Sequence, residues 1–310
     1  MNYNDFSVKV KQSVQEKAGK EYEVIIRQVS KNNGVMLDGL SIGRKQDAMA
    51  PVVYLQPYYE QLGSNMTFDE IVKDIISIYK NYRGISMRNM AEALTVFDHV
   101  KDKVVFKLIQ AEANRELLAE IPSIPFLDMA IVFYLLLDSS EEGQMTALIH
   151  NNHLEVWNTT AEELYQLAKI NTPKLLPSRL RTMEEVMFEI PMGQFTEKEA
   201  AEVVSGLSEE IQGKPVLYVF TNRNGVNGAV CILYEGYLEA FAKKKGTDIL
   251  ILPSSIHEVL LITDNGTLNY GDLEDMVKHI NKNDVPVEDV LSDRIYRYSL
   301  VERKISIVAV

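Results

Sequence analysis

The run from Thr247 to Thr263, T-D-I-L-I-L-P-S-S-I-H-E-V-L-L-I-T, constrains the fold more than any other stretch of the chain. Two short apolar segments of β type flank the polar group Pro253, Ser254, Ser255, Ile256 and His257. Continuous apolar runs of this length, bounded by turn residues, read as core strands, so the chain is expected to bring two buried strands together at a polar corner. Strands hold such a corner rigidly, which makes its hydroxyls and imidazole the first candidates for a site.

The pattern on either side places further elements. Phe6, Val10 and Val14 recur at helical spacing after Asn4 and Asp5, and Gly19 is suited to end that helix. Glu21 to Val29 and Val35 to Ile42 read as a β-hairpin around Lys31-Asn32-Asn33-Gly34, with a third strand from Pro51 to Leu55. Thr67 and Glu70 form a capping box ahead of Ile71, Ile75, Ile78 and Tyr79. A second helix is expected over Met87 to Phe97 and another over Ala111 to Ile121. Strands are expected at Val104 to Ile109, Met129 to Leu137 and Met145 to Ile149, in one sheet with the opening hairpin.

His150 to His153 reads as a turn leading into an extended Glu155, Val156 and Trp157, and Thr160 with Glu163 opens the next helix. Pro173, Pro177 and Pro191 interrupt the chain, and a domain break is expected near residues 172 to 195. Beyond it come a helix capped by Thr196 and Glu199, a strand at Val216 to Thr221, a turn at Asn222 to Gly228 and an apolar helical stripe. The corner strands follow, an order that suggests a βαβ unit. A helix opened by Asp272 and a terminal hairpin complete the chain. The expected fold is α+β or mixed α/β, with a sheet-and-helix domain over 1–180 and a smaller βαβ-containing domain over 195–310.

Charge and cysteine usage narrow the functional classes. The net charge of −12 and the dispersed Lys and Arg residues disfavour nucleic acid, since no basic stripe is present to displace counterions. Asp264 to Asp293 carries eight carboxylates against Lys278 and Lys282, a local balance of −6, which reads as a solvated helix face or a docking surface for a basic protein. Cys231 is the single cysteine, so no intramolecular disulfide or thiolate cluster forms. The apolar run Met129 to Leu137 is shorter than the ~20 residues that span a bilayer, and Met1 to Lys20 lacks a signal-peptide core. A cytoplasmic protein without membrane segments is expected.

Two constellations carry candidate chemistry. Ser255 and His257 share a face of an extended chain, so they are the candidate nucleophile and general base, with Asp264 or Glu258 to orient the imidazole. Arg223, Gly225, Asn227 and Gly228 lie in a strand-to-helix turn, where free backbone donors attract an anion. The turn matches neither G-x-G-x-x-G nor a Walker loop. His150, His153 and Glu155 lack a fourth ligand, and neither a metal site nor a cofactor is expected.

The segments H-L-E-V-W-N-T-T-A-E-E-L from His153, N-G-A-V-C-I-L-Y from Asn227, I-L-P-S-S-I-H-E-V from Ile251 and V-L-S-D-R-I-Y from Val290 resemble an uncharacterised family, a domain of unknown function found in anaerobic, mostly gut-dwelling bacteria. The resemblance covers nearly the whole chain and implies a bacterial cytoplasmic origin; it transfers no catalytic residue. The functional expectation is a non-catalytic accessory protein that binds another protein, through its acidic C-terminal region. The alternative is a hydrolase or small-ligand-binding enzyme using Ser254-Ser255-Ile256-His257 with the 222–228 turn.

Overall fold

Apolar periodicity in the first hundred residues is resolved into one sheet covered by helices. The computed structural model describes residues 1–44, 50, 52–82, 95–140, 143–189 and 216–309, and the chain separates into two compact units, Met1–Lys101 and Asp102–Val310. The first unit contains α1 (Tyr3–Ala18), β1 (Glu23–Ser30), β2 (Met36–Gly43), β3 (Val52–Tyr54), α2 (Gln56–Gln61), α3 (Phe68–Tyr82) and α4 (Phe97–Val100). Its strands form an antiparallel sheet in the order β1-β2-β3, with Ile26 opposite Leu40 and Leu40 opposite Val53. The β1–β2 turn closes through Lys31 N–H donating to the Val35 carbonyl at 2.7 Å, with Asn33 and Gly34 at φ 58° and 72°. Those left-handed angles explain why Asn-Gly stands there.

Phe6, Val10 and Val14 of α1 are fully buried against Leu40, Leu55, Ile71 and Ile75. Each such side chain contributes about 1.5–3 kcal/mol by leaving water. The helix is capped by Asn2, whose side chain accepts from Asp5 N–H at 2.8 Å, two residues earlier than Asn4. The expected capping box stands at α3, where Glu70 accepts from Thr67 N–H at 2.8 Å. Most of the helix expected over 87–97 lies outside the described residues.

The second unit begins with β4 (Val104–Gln110), α5 (Arg115–Glu120), β5 (Ser123–Phe126), β6 (Met129–Ser140), β7 (Gly143–Leu148), α6 (Asn151–Trp157) and α7 (Ala161–Leu175). β6 pairs with β4 along one edge and with β5 and then β7 along the other. Among the described residues the opening hairpin pairs with β3 and not with this sheet, so two sheets stand where a single one was expected. The extended segment expected after His153 is instead α6. The free edge of β4 is sealed from α7: buried Asn171 donates to the Val104 carbonyl at 3.0 Å, and the Thr172 hydroxyl accepts from Phe106 N–H at 3.2 Å. These buried polar side chains replace the missing neighbour strand.

The remainder comprises β8 (Ser178–Thr182), α8 (Met183–Glu189), β9 (Tyr218–Asn222), a 3₁₀ turn (Gly228–Leu233), α9 (Tyr237–Lys245), β10 (Asp248–Pro253), β11 (Val259–Asp264), α10 (Tyr270–Asn283), β12 (Tyr296–Ser299) and β13 (Lys304–Ile307). The strands make one six-stranded sheet in the order β13-β12-β10-β11-β9-β8, every pair antiparallel. β9 and β10 run in the same direction, as a βαβ unit requires, but β11 lies between them. β8 and β9 pair from opposite sides of the break expected near 172–195, and the division into compact units falls earlier, after Lys101. The helix expected from Thr196 lies outside the described residues. Leu250 and Leu252 pack with Leu273 and Val277 of α10, while Ile249 and Ile251 on the opposite face are also buried. Both faces of the central strand are therefore covered, which is why β10 reads as a continuous apolar run. The architecture is mixed α+β.

Candidate functional site

β10 and β11 pair in register up to Pro253 opposite Val259, so residues 254–258 form the corner at one end of the six-stranded sheet. β9 lies beside β11, and it delivers the 222–228 turn to the same end. The two stretches singled out from the sequence are thereby brought into direct contact. The Thr221 hydroxyl donates to the His257 carbonyl at 2.7 Å, and Ala229 N–H donates to the Ile256 carbonyl at 3.2 Å. Gly228 sits against this junction: a Cβ there would lie 2.1 Å from Thr221 Oγ1, 2.5 Å from the His257 carbonyl oxygen and 2.7 Å from Asn222 N. Only glycine fits so close an approach.

The imidazole of His257 is engaged at both nitrogens. Its Nδ1 accepts from Asn227 N–H at 3.1 Å, and its Nε2 lies 3.2 Å from Asp289 Oδ1. A backbone N–H can only donate, so the tautomer carries its proton on Nε2, directed at the carboxylate. Asp289 is held by its own main chain, whose carbonyl accepts from Ile256 N–H at 2.8 Å. Ser255 Oγ accepts from the backbone N–H of His257 at 3.0 Å, a local serine turn. Ser254 Oγ donates to the Glu258 carbonyl at 3.2 Å. Burial pushes the Glu258 carboxyl above its ordinary value, while the Ser254 hydroxyl, His257 and Arg181 pull the other way.

Within the turn, Asn222 Nδ2 donates to the Val226 carbonyl at 2.7 Å, and its Oδ1 accepts from Asn224 N–H at 3.0 Å. Gly225 N–H donates to the Asn222 carbonyl at 3.1 Å and Arg223 N–H to the Pro177 carbonyl at 2.8 Å. Gly225 and Asn227 adopt left-handed φ values of 67° and 54°. Several donors expected to cradle an anion thus serve the protein's own carbonyls, while the Arg223 side chain is exposed.

Asp289 and Thr221 were not singled out as site residues. Asp289 belonged to the acidic run, and nothing near it in sequence marks an imidazole partner. Other candidates settle elsewhere. His153 Nδ1 accepts from His150 N–H at 2.8 Å at the start of α6, and its ring stacks on Trp157 at 5.2 Å. Among the described residues, no group of three or more His, Cys, Asp or Glu side chains is arranged to hold a metal ion. No helix among them is long and apolar enough to cross a membrane. Cys231 is fully buried, and burial pushes its thiol up to about 12.

The acidic run is partly consumed inside the fold. Glu274 is buried and lies 3.1 Å from both Lys278 and Arg294, and Asp264 lies 2.8 Å from Arg297. The carboxylates of Asp272, Asp275, Asp284 and Asp293 remain exposed. Asn281 Nδ2 donates to the Ser292 carbonyl at 2.9 Å and to Asp293 Oδ1 at 2.8 Å, which pins the 292–293 loop to the C-terminal end of α10.

Residues 3–300 match the model of a family of unknown function, DUF5688. No curated protein and no solved structure matches the chain.

Proposed function

We propose that this chain, which belongs to the DUF5688 family of unknown function, is a non-catalytic accessory protein of the bacterial cytoplasm that binds a basic partner protein. One observation carries the reading. Asp284 at the end of α10, Glu288 just after it and Asp293 pinned beside it gather negative charge where the helix dipole is already negative. A carboxylate at the helix end, as Asp284 is, costs about 0.3–1 kcal/mol relative to a neutral side chain, which Lys282 in the last turn offsets in part. Val287, 62% exposed, lies within this segment and adds an apolar contact. A lysine- and arginine-rich segment would neutralise the carboxylates and cover the valine.

The experiment is calorimetric titration with a Lys/Arg-rich peptide at low and high salt, on the protein and on Asp284→Asn/Glu288→Gln. The expected result is salt-sensitive binding, about tenfold weaker in the variant, a loss of about 1.4 kcal/mol, together with a raised melting temperature. Absent binding, or equal binding by the variant, refutes the reading.

A second reading, a hydrolase or small-ligand-binding enzyme at Ser255 and His257 with Arg223, Gly225, Asn227 and Gly228, rests on the direct contact of corner and turn, although Ser255 Oγ serves main chain and both imidazole nitrogens face Asn227 and Asp289 rather than the serine. It requires a melting-temperature rise with a nucleotide or phosphorylated metabolite, lost in Arg223→Ala. A flat response across such a panel removes it.

A further inference from the structure

We propose that His257 is a proton-operated latch between the corner and the 222–228 turn, closed while the imidazole is neutral and opened at Asn227 when it is protonated. The latch follows from which atoms face each other. Nδ1 accepts from Asn227 N–H at 3.1 Å, and that bond exists only while Nδ1 carries a lone pair. Protonation places a second donor opposite the first, with no acceptor between them. At Nε2 the change has the opposite sense, because the imidazolium is attracted to Asp289 Oδ1 at 3.2 Å. The charged ring therefore stays with Asp289 and releases the Asn227 amide.

The surrounding groups confine the change. Among the described residues, Glu258, next in the chain, also interacts with the imidazole, and Arg181 on β8 acts on Glu258. The bonds from Thr221 Oγ1 to the His257 carbonyl and from Ala229 N–H to the Ile256 carbonyl do not involve the ring, so the sheet end stays assembled. The bonds from Asn222 Nδ2 to the Val226 carbonyl and from Gly225 N–H to the Asn222 carbonyl are likewise independent of the ring, so the change is confined to the Asn227 amide. The latch does not depend on what the protein binds.

The test is ¹⁵N NMR and amide exchange on the full chain between about pH 8 and about pH 5, the window in which imidazole changes charge. The expected result is an unprotonated Nδ1 signal at the alkaline end. The Asn227 amide then shifts with the same midpoint as the ring, and its protection falls about three- to tenfold, the scale of one lost hydrogen bond. His257→Asn keeps an acceptor near the position of Nδ1 without titrating, and should leave Asn227 protection flat. Unchanged Asn227 protection across the range in the wild type, or the same pH response in His257→Asn, overturns the latch.

Discussion

At Gly228 a single hydrogen atom faces Thr221 Oγ1, the His257 carbonyl and Asn222 N, two of them main-chain atoms that cannot swing aside. Gly228→Ala should cost about 1–3 kcal/mol or more through overpacking, read as a lowered urea midpoint. Gly225→Ala provides the contrast, because nothing lies within 4 Å of its Cβ position and only its φ of 67° opposes a side chain. It should cost about 1 kcal/mol. If the two variants lose equal stability, the close packing of turn on corner is not what holds Gly228. This scale was the least legible in the sequence. Ser255 and His257 were rightly placed on one corner, yet the hydroxyl bonds main chain and the ring bonds Asn227 and Asp289, partners set by strand order. Spacing along an extended chain reports which side chains share a face, not which remote donor reaches them.

Elements were more legible wherever a local rule governs them. The Thr67–Glu70 box and the Asn33-Gly34 turn rest on contacts within a few residues, and both stand as expected. Thr67→Ala should destabilise the first unit by about 0.5–2 kcal/mol, seen as a lower denaturant midpoint; an unchanged midpoint would show that packing alone sets the start of α3. The 151–157 stretch is helical where an extended segment is expected, and its cap is unusual, an imidazole accepting from a main-chain donor. Burial, followed by the charge of His150, holds His153 below its ordinary value of 6.5. Neutral His153 therefore contributes stability that is complete above that value and declines as pH falls below it, since the unfolded chain binds the proton more readily. His153→Asn should lessen the acid-side loss measured in urea at about pH 7.5 and about pH 5.5, the range in which imidazole titrates. An identical acid-side loss in both proteins would place the effect elsewhere.

For the whole molecule, the fold class was legible in the sequence. Continuous apolar runs such as Ile249–Leu252 announce strands covered on both faces, but they do not say which strands join, and β11 between β9 and β10 is a choice made by pairing. Prolines at 173 and 177 suggested a break, whereas Pro173 lies inside α7 and β8 joins β9. The first unit has its own core, from Phe6 to Ile76, so residues 1–101 expressed alone should unfold in one cooperative transition. A gradual loss of signal would show that this core is insufficient. The second unit contains a ready-made clock. Cys231 is the chain's single thiol, fully buried and held protonated, so an alkylating reagent meets it only during the moments when that core comes apart. Its labelling rate, divided by that of a free cysteine, counts those moments directly, and a rate close to that of free cysteine would mean that the interior around Gly228–Leu233 is in constant exchange with solvent.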